Sequence, residues 1–213
     1  MLTLVEEAGV AFLSAVVIAS GYLLGSIPVG LLVVRAVTGK DVRKVGSGRI
    51  GGTNVLRAAG TWVALLTVLG DGAKGLLAVW LARAVVGIPA IEALAGLSAV
   101  VGHNYSIFIG FKGGAGTATT VGGAIGLWPW SGVILICVGA VVIAATRYAS
   151  LGSITVALLL PIIFALRAWL TGAPGAYLIH GLGTMALTLW ALRPNTRRLL
   201  EGRERRVTLR RRA

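Results

Sequence analysis

Long apolar stretches, at roughly 9–37, 61–82, 87–107, 117–129, 131–147, 152–170 and 175–192, occupy most of the 213 residues and restrict what this chain can become. A spanning helix needs about 20 predominantly apolar residues, and fewer where neighbouring helices or a thinned bilayer help. In hydrocarbon every backbone N–H and C=O has to be satisfied within the segment, so stretches of this kind fold as helices. The expectation is an all-α polytopic membrane protein with about seven transmembrane helices, forming a single domain over 1–213. Only 13% of the residues are charged and the mean hydropathy is +0.88, whereas soluble domains carry about 25% charged residues. The fourth stretch is short and glycine-rich, and so is read as beginning in a re-entrant piece near Gly113 to Gly116. Trp128-Pro-Trp130, between the fourth and fifth, suits a turn at the membrane interface.

Charge fixes the expected orientation. Lys40, Arg43, Lys44, Arg49 and Arg57 follow the first stretch, Lys112 follows the third and Arg147 the fifth. Nine of the 20 Lys and Arg residues lie in the last 21 positions, while the opposite side offers only Arg83 and Arg167. Positive residues mark the cytoplasmic side, so the N-terminus is expected outside and the basic tail, from about 193, inside. A basic tail after an apolar helix reads as an anchor against anionic lipid, so the formal charge of +13 does not call for nucleic acid. The single Cys137 excludes an intrachain disulfide. Glu6 and Glu7 give the N-terminus no positive region, so it does not read as a cleaved signal peptide.

All the polar motifs then fall on one membrane face. Gly46-Ser-Gly-Arg-Ile-Gly-Gly-Thr-Asn-Val-Leu-Arg57 combines tight-turning glycines, among them Gly46 and Gly48, with Ser47, Thr53 and Asn54 as neutral hydrogen-bonding groups. Arg49 and Arg57 add guanidinium forks that match phosphate oxygens. Phe111-Lys-Gly-Gly-Ala-Gly-Thr-Ala-Thr119 opens a helix with Lys112, Gly113 and Gly114, a setting that attracts anions, although the nucleotide P-loop spacing is absent. Two such cradles on one face suit two phosphorylated ligands. His103, in Gly102-His-Asn-Tyr-Ser106, is a candidate general base or a helix-end cap. With His180 far away on what reads as the opposite side, no metal is expected. Asp71 and Lys74 share a helix face and pair, either structurally or for function. Gly25-Ser-Ile-Pro-Val-Gly30 reads first as a packing kink.

Together these residues resemble the bacterial acyl-phosphate:glycerol-3-phosphate acyltransferases of the PlsY type. The likeness runs from about Gly25 to Glu204 through GSIP, DVRKxGSG with GxTNVLR, DxxKG, GHxY with FKGG and GxAT, RYxSLxSI, and RxNxxRLLxGxE. It implies a multi-pass enzyme of the bacterial inner membrane with its active face in the cytoplasm. Such an enzyme moves a fatty acyl group from acyl phosphate to the 1-hydroxyl of glycerol 3-phosphate, giving lysophosphatidic acid for phospholipid synthesis, with no cofactor. It further implies that Ser47, Arg57, His103, Lys112 and Asn195 carry the chemistry. Arg43, Gly46, Gly48, Arg49, Thr53, Asn54, Gly113, Gly114 and Arg198 would surround the substrates.

The chain departs from the family pattern at Arg49, where Asn is usual, at Ser106 in place of Pro, at Ala115 in place of Lys, and at Leu192 in place of His. A catalytically silent relative that binds phosphorylated lipid precursors is therefore the alternative reading. A small transporter, suggested by the Asp71–Lys74 pair, has no inverted repeat to support it.

Overall fold

The computed structural model describes residues 2–207, and among them every regular element is a helix. In chain order these are α1 (Leu2–Ser26), α2 (Val29–Thr38), α3 (Gly52–Ala59), α4 (Thr61–Val85), α5 (Pro89–Asn104), α6 (Thr117–Leu127), α7 (Pro129–Thr146), α8 (Ala149–Thr171), α9 (Leu178–Ala191) and α10 (Arg193–Leu200). Each of the seven apolar stretches is helical. Four segments are long and apolar enough to cross a membrane on their own: α1 with α2, then α4, α7 and α8. A fifth is the pair α9 and α10, bent by 61° at Leu192. The stretches at 87–107 and 117–129 yield helices of only 16 and 11 residues, shorter than a usual span. Large apolar side chains such as Trp62, Val141 and Trp169 lie exposed on the outer faces, as a lipid-facing exterior requires.

The first stretch breaks where its sequence says it should. Pro28 has no N–H to donate, so α1 stops at Ser26 and α2 restarts at Val29. The break leaves the Ile27 carbonyl available, and Lys74 Nζ on α4 donates to it at 3.0 Å. Lys74 also pairs with Asp71 Oδ1 at 2.9 Å, and His103 Nδ1 of α5 lies 3.4 Å from the same oxygen. Both charged side chains are buried. One ion pair thus ties together the broken helix, α4 and the end of α5.

Small residues bring these helices backbone to backbone. A Cβ on Gly25 would overlap the Ala99 carbonyl of α5, and one on Gly75 would overlap the Thr119 carbonyl of α6. Ser106 Oγ, just past α5, donates to the Ser26 carbonyl, and Tyr22 Oη donates to the Tyr105 carbonyl at 2.9 Å. Gly30, in the first turn of α2, gives room for the carbonyl of Ile50 from the polar loop. The Gly25–Gly30 motif is therefore a structural junction that seats the first polar loop on the bundle.

Removing one member of a buried pair costs about 3–5 kcal/mol, because the other charge is left uncompensated. Lys74→Met is expected to lower the apparent melting temperature in detergent substantially, and Asp71→Asn added to it to restore much of the loss. A thermal-shift comparison of wild type, both single variants and the double variant measures this coupling.

Candidate active site

The polar loop after α2 is built around one side chain. Asn54, on α3, is 2% exposed; its Nδ2 lies 3.0, 2.9 and 2.8 Å from the carbonyls of Val42, Val45 and Arg49. Its Oδ1 accepts the Ser47 N–H at 3.0 Å. Gly46 is left-handed (φ 57°), and a Cβ there would overlap that Oδ1, so the turn needs glycine. Gly48 is left-handed as well (φ 73°). Asn54 thus spends its amide on the loop, and Ser47 and Arg57 are left exposed on the outside, with Thr53 half-buried in the first turn of α3. Arg43 is engaged by Asp41, whose carboxylate accepts from its guanidinium at 2.7 Å; hydrogen bonding to Arg43 draws the Asp41 pKa down to about 2.

Arg49 points toward the far end of the chain. It donates through Nη1 to Asn195 Oδ1 at 3.1 Å and through Nη2 to the Ala191 carbonyl. Asn195 in turn donates to Glu204 Oε1 at 2.8 Å. Glu204 also accepts from Ser150 Oγ at 3.1 Å and from Arg198 Nε at 2.9 Å. The tail beyond α10 folds back across the α7–α8 turn, where the Val207 N–H bonds the Arg147 carbonyl at 2.7 Å. Arg49 and Asn195, 146 positions apart, are joined because α10 bends off α9 at Leu192, which is itself buried.

The second loop lies over the end of α5. The Gly113 N–H donates to the Asn104 carbonyl at 3.0 Å and the Gly114 N–H to the His103 carbonyl at 3.1 Å, so these two amides are occupied. A Cβ on Gly114 would overlap His103 Nε2, which places the imidazole beneath the loop at 3% exposure. Lys112 stands exposed above it. Between this loop and the start of α10 opens a cleft of about 370 Å³. Arg49, Lys112 and Arg193 bring positive charge to its lining; Asn104, Tyr105 and Trp190 are among its other walls, and His103 is not. A larger open groove of about 690 Å³ continues past Trp190 and Arg193 along α9 and α10, lined also by Ala186, Leu189 and Leu200. Of the predicted site residues, Arg49, Lys112, Gly113 and Gly114 line the smaller cleft, whereas Ser47, Thr53, Asn54, Arg57, Asn195 and Arg198 are not among its walls.

Positive charge is in excess. Burial first, then the like charge of Arg198, lowers the pKa of Arg49 against the pull of Glu204. Burial followed by Arg205 does the same to Arg57, which Glu204 also opposes. Arginine stays protonated regardless, so four guanidiniums share one nearby carboxylate. Such a cluster is relieved by binding an anion. These features define a helical integral membrane protein with a cationic cleft at one end of its bundle.

The comparisons agree. A family model described as glycerol-3-phosphate acyltransferase matches residues 15–202. A protein of Rubrobacter xylanophilus called glycerol-3-phosphate acyltransferase is 45% identical over 91% of this chain and 94% of its own length. One of Syntrophomonas wolfei with the same name is 43% identical over 88% and 93%. The crystal structure of PlsY (YgiH), an integral membrane glycerol 3-phosphate acyltransferase, in its glycerol 3-phosphate form superposes with a TM-score of 0.83 at 35% identity, covering 92% of this chain and 96% of that one. Its lysophosphatidic acid form gives a TM-score of 0.79 at 34% identity, with 91% and 94% covered. The chain belongs to the glycerol-3-phosphate acyltransferase family. These relatives carry an enzyme's name, and the reading of a silent relative draws no support from them.

Several site residues had no individual signal in the sequence. Glu204 was visible only as the last letter of a motif, and its buried position depends on the folded-back tail. Trp190 and Arg193 reach the cleft only because of the bend at Leu192.

Burial raises the Glu204 pKa, but the hydrogen bonds from Asn195, Arg198 and Ser150 outweigh it and hold the value below the ordinary one. A carboxylate with a depressed folded pKa stabilises fully above its unfolded value, about 4.3, and loses that contribution as pH falls through the folded value. The tail is therefore expected to stay attached at neutral pH and to loosen only under acid below the ordinary glutamate range. Hydrogen exchange of the peptide around Val207, corrected for intrinsic rates across pH, reads this; Glu204→Ala is expected to give the loosened exchange already at pH 7.

Proposed function

We propose that this protein transfers a fatty acyl group from acyl phosphate to the 1-hydroxyl of glycerol 3-phosphate at the cytoplasmic face of the bacterial inner membrane. The single observation that carries this reading is the convergence of Arg49, Lys112 and Arg193 on one cleft that opens into an apolar groove. Glycerol 3-phosphate occupies the cleft, its phosphate on Lys112 and Arg193. The donor's phosphate sits on the first-loop side against Ser47, Arg57 and Arg198. Its acyl chain lies along the groove past Leu189 and Trp190. Arg49 stands between the two anions and, with Glu204, fixes the Asn195 amide. Gly46, Gly48, Thr53 and Asn54 shape the first loop, and Gly113 and Gly114 the second.

Acyl phosphate is already activated, so the step consists of positioning and charge stabilisation. The 1-hydroxyl oxygen attacks the acyl carbonyl carbon, the carbon–oxygen bond to phosphate breaks, and inorganic phosphate leaves. The hydroxyl proton passes to a phosphate oxygen, since the imidazole of His103 lies beneath the loop beside Asp71 and serves to support it. Lys112 and Arg57 neutralise charge that builds on the leaving phosphate and the carbonyl oxygen. Positive residues on the face that carries the motifs support the cytoplasmic assignment.

The test is product formation from palmitoyl phosphate and labelled glycerol 3-phosphate by purified protein. Lysophosphatidic acid is expected from wild type, with turnover reduced about 100-fold or more in Arg57→Ala and in Lys112→Ala at retained melting temperature. Wild-type turnover in both variants would overturn the assignment of roles, and no product from folded wild type would overturn the reaction.

A further inference from the structure

Trp190 and Arg193 belong to both openings at this end of the bundle: each lines the cationic cleft and also the apolar groove beside it. Trp190 lies in the last turn of α9 and Arg193 is the first residue of α10, so the 61° bend at buried Leu192 falls between them. The bend brings the two side chains together, with the guanidinium carbon of Arg193 3.2 Å from the centre of the Trp190 ring. At that distance the guanidinium lies flat on the ring, since a tilted one would drive a nitrogen into it. Both residues are exposed, so a ligand in either opening reaches them.

How a cation is held decides what it can still bind. Arg49 spends Nη1 on Asn195 and Nη2 on the Ala191 carbonyl. Among the described residues neither carboxylate of the tail pairs with Arg193: Glu201 is taken by Arg197 and Arg203, and Glu204 by Arg198. Arg193 is held instead through the flat face of its guanidinium, by attraction to the π-electrons of the ring. Its N–H donors lie in the plane of the group and point outward from the stack. A stacked arginine is thus fixed in place with its hydrogen-bonding edge unspent, which suits two parallel bonds to a phosphate.

Building on the proposed reaction, in which Arg193 meets the phosphate of glycerol 3-phosphate, we propose that Trp190 is a positioning residue for the acceptor. Its ring holds Arg193 at the border of the two openings and leaves the guanidinium edge to the phosphate in the cleft. The groove does not need tryptophan for its apolar character, which Ala186, Leu189 and Leu200 already supply. The cation does need a ring at the border. Trp190 therefore acts on the polar substrate although it stands among apolar residues, and the acyl donor is indifferent to its aromaticity.

The experiment measures the KM for each substrate in Trp190→Leu, Arg193→Gln and the double variant, with palmitoyl phosphate as donor. KM does not depend on the folded fraction of a preparation. Trp190→Leu keeps apolar surface and removes the ring; it is expected to raise the KM for glycerol 3-phosphate about 3- to 10-fold. The KM for palmitoyl phosphate is expected to stay within about twofold of wild type. Trp190→Tyr, which keeps a ring, is expected to retain most of the affinity. Arg193→Gln is expected to raise the KM for glycerol 3-phosphate about 10-fold or more. Adding Trp190→Leu to it is expected to change that value by less than about twofold, since the ring then has no cation to hold. A rise for palmitoyl phosphate alone, or equal rises for both substrates, would overturn the inference and leave Trp190 a wall of the groove. A double variant showing the full effect of Trp190→Leu on top of Arg193→Gln would overturn it as well. Should Trp190→Leu fail to fold, Trp190→Met takes its place in the same cycle with the same expectations. If folded wild type forms no product, the proposed reaction falls and the inference with it. If wild type turns over and Trp190→Leu leaves the KM for glycerol 3-phosphate unchanged, the inference alone falls.

Discussion

The buried contact between Lys74, Asp71 and the freed carbonyl of Ile27 is the constraint on which the rest of the structure depends. A charge inside a membrane helix is tolerated only when it is paired or given polar contacts. Here the pair obtains them from two sources: a carbonyl released by Pro28 and an imidazole at the end of α5. The motifs around Gly25–Gly30, Asp71–Gly75 and Gly102–Ser106 are one unit in space. Because His103 belongs to that unit and also lies under Gly114, the position of the second polar loop is set from within the bundle.

Both glycine-rich loops satisfy much of their own hydrogen bonding. Asn54 is consumed in holding the first loop, and two amides of the second are consumed on α5. What remains outward is cationic: Arg57, Lys112 and Arg193, with Arg49 bonded to Asn195 at the seam. The loops are thus rigid frames that present fixed charges. That rigidity is the preorganisation on which transfer from an already activated donor depends. Arg49 is the distinctive element, since one guanidinium joins the first loop, the end of α9, Asn195 and the cleft.

The apolar runs made the all-helical membrane fold legible, because hydrocarbon leaves so few backbone solutions. The break at Pro28 and the turn at Trp128-Pro-Trp130 were legible for the same kind of reason, one from a missing N–H and one from interfacial chemistry. Hydrophobicity said less about length: the stretches at 87–107 and 117–129 are apolar through small residues such as Ala and Gly, which pack between helices and build only short ones. The glycine-rich, basic loops brought out Lys112 and Arg49 as candidates and the family resemblance added Asn195, but neither could tell that Asn54 turns inward or that Arg43 is taken by Asp41. Those outcomes depend on a left-handed Gly46 and on a carboxylate two residues away. Glu204 was legible only as the end of a motif, since its role comes from long-range contacts with Ser150, Asn195 and Arg198.

The most direct test of the account is a structure of the protein in lipid with glycerol 3-phosphate bound. The account predicts the phosphate within about 2.7–3.2 Å of Lys112 Nζ and of an arginine of the cleft. A phosphate held instead by the first loop alone, on Ser47 and Arg57 with the cleft left empty, would contradict it.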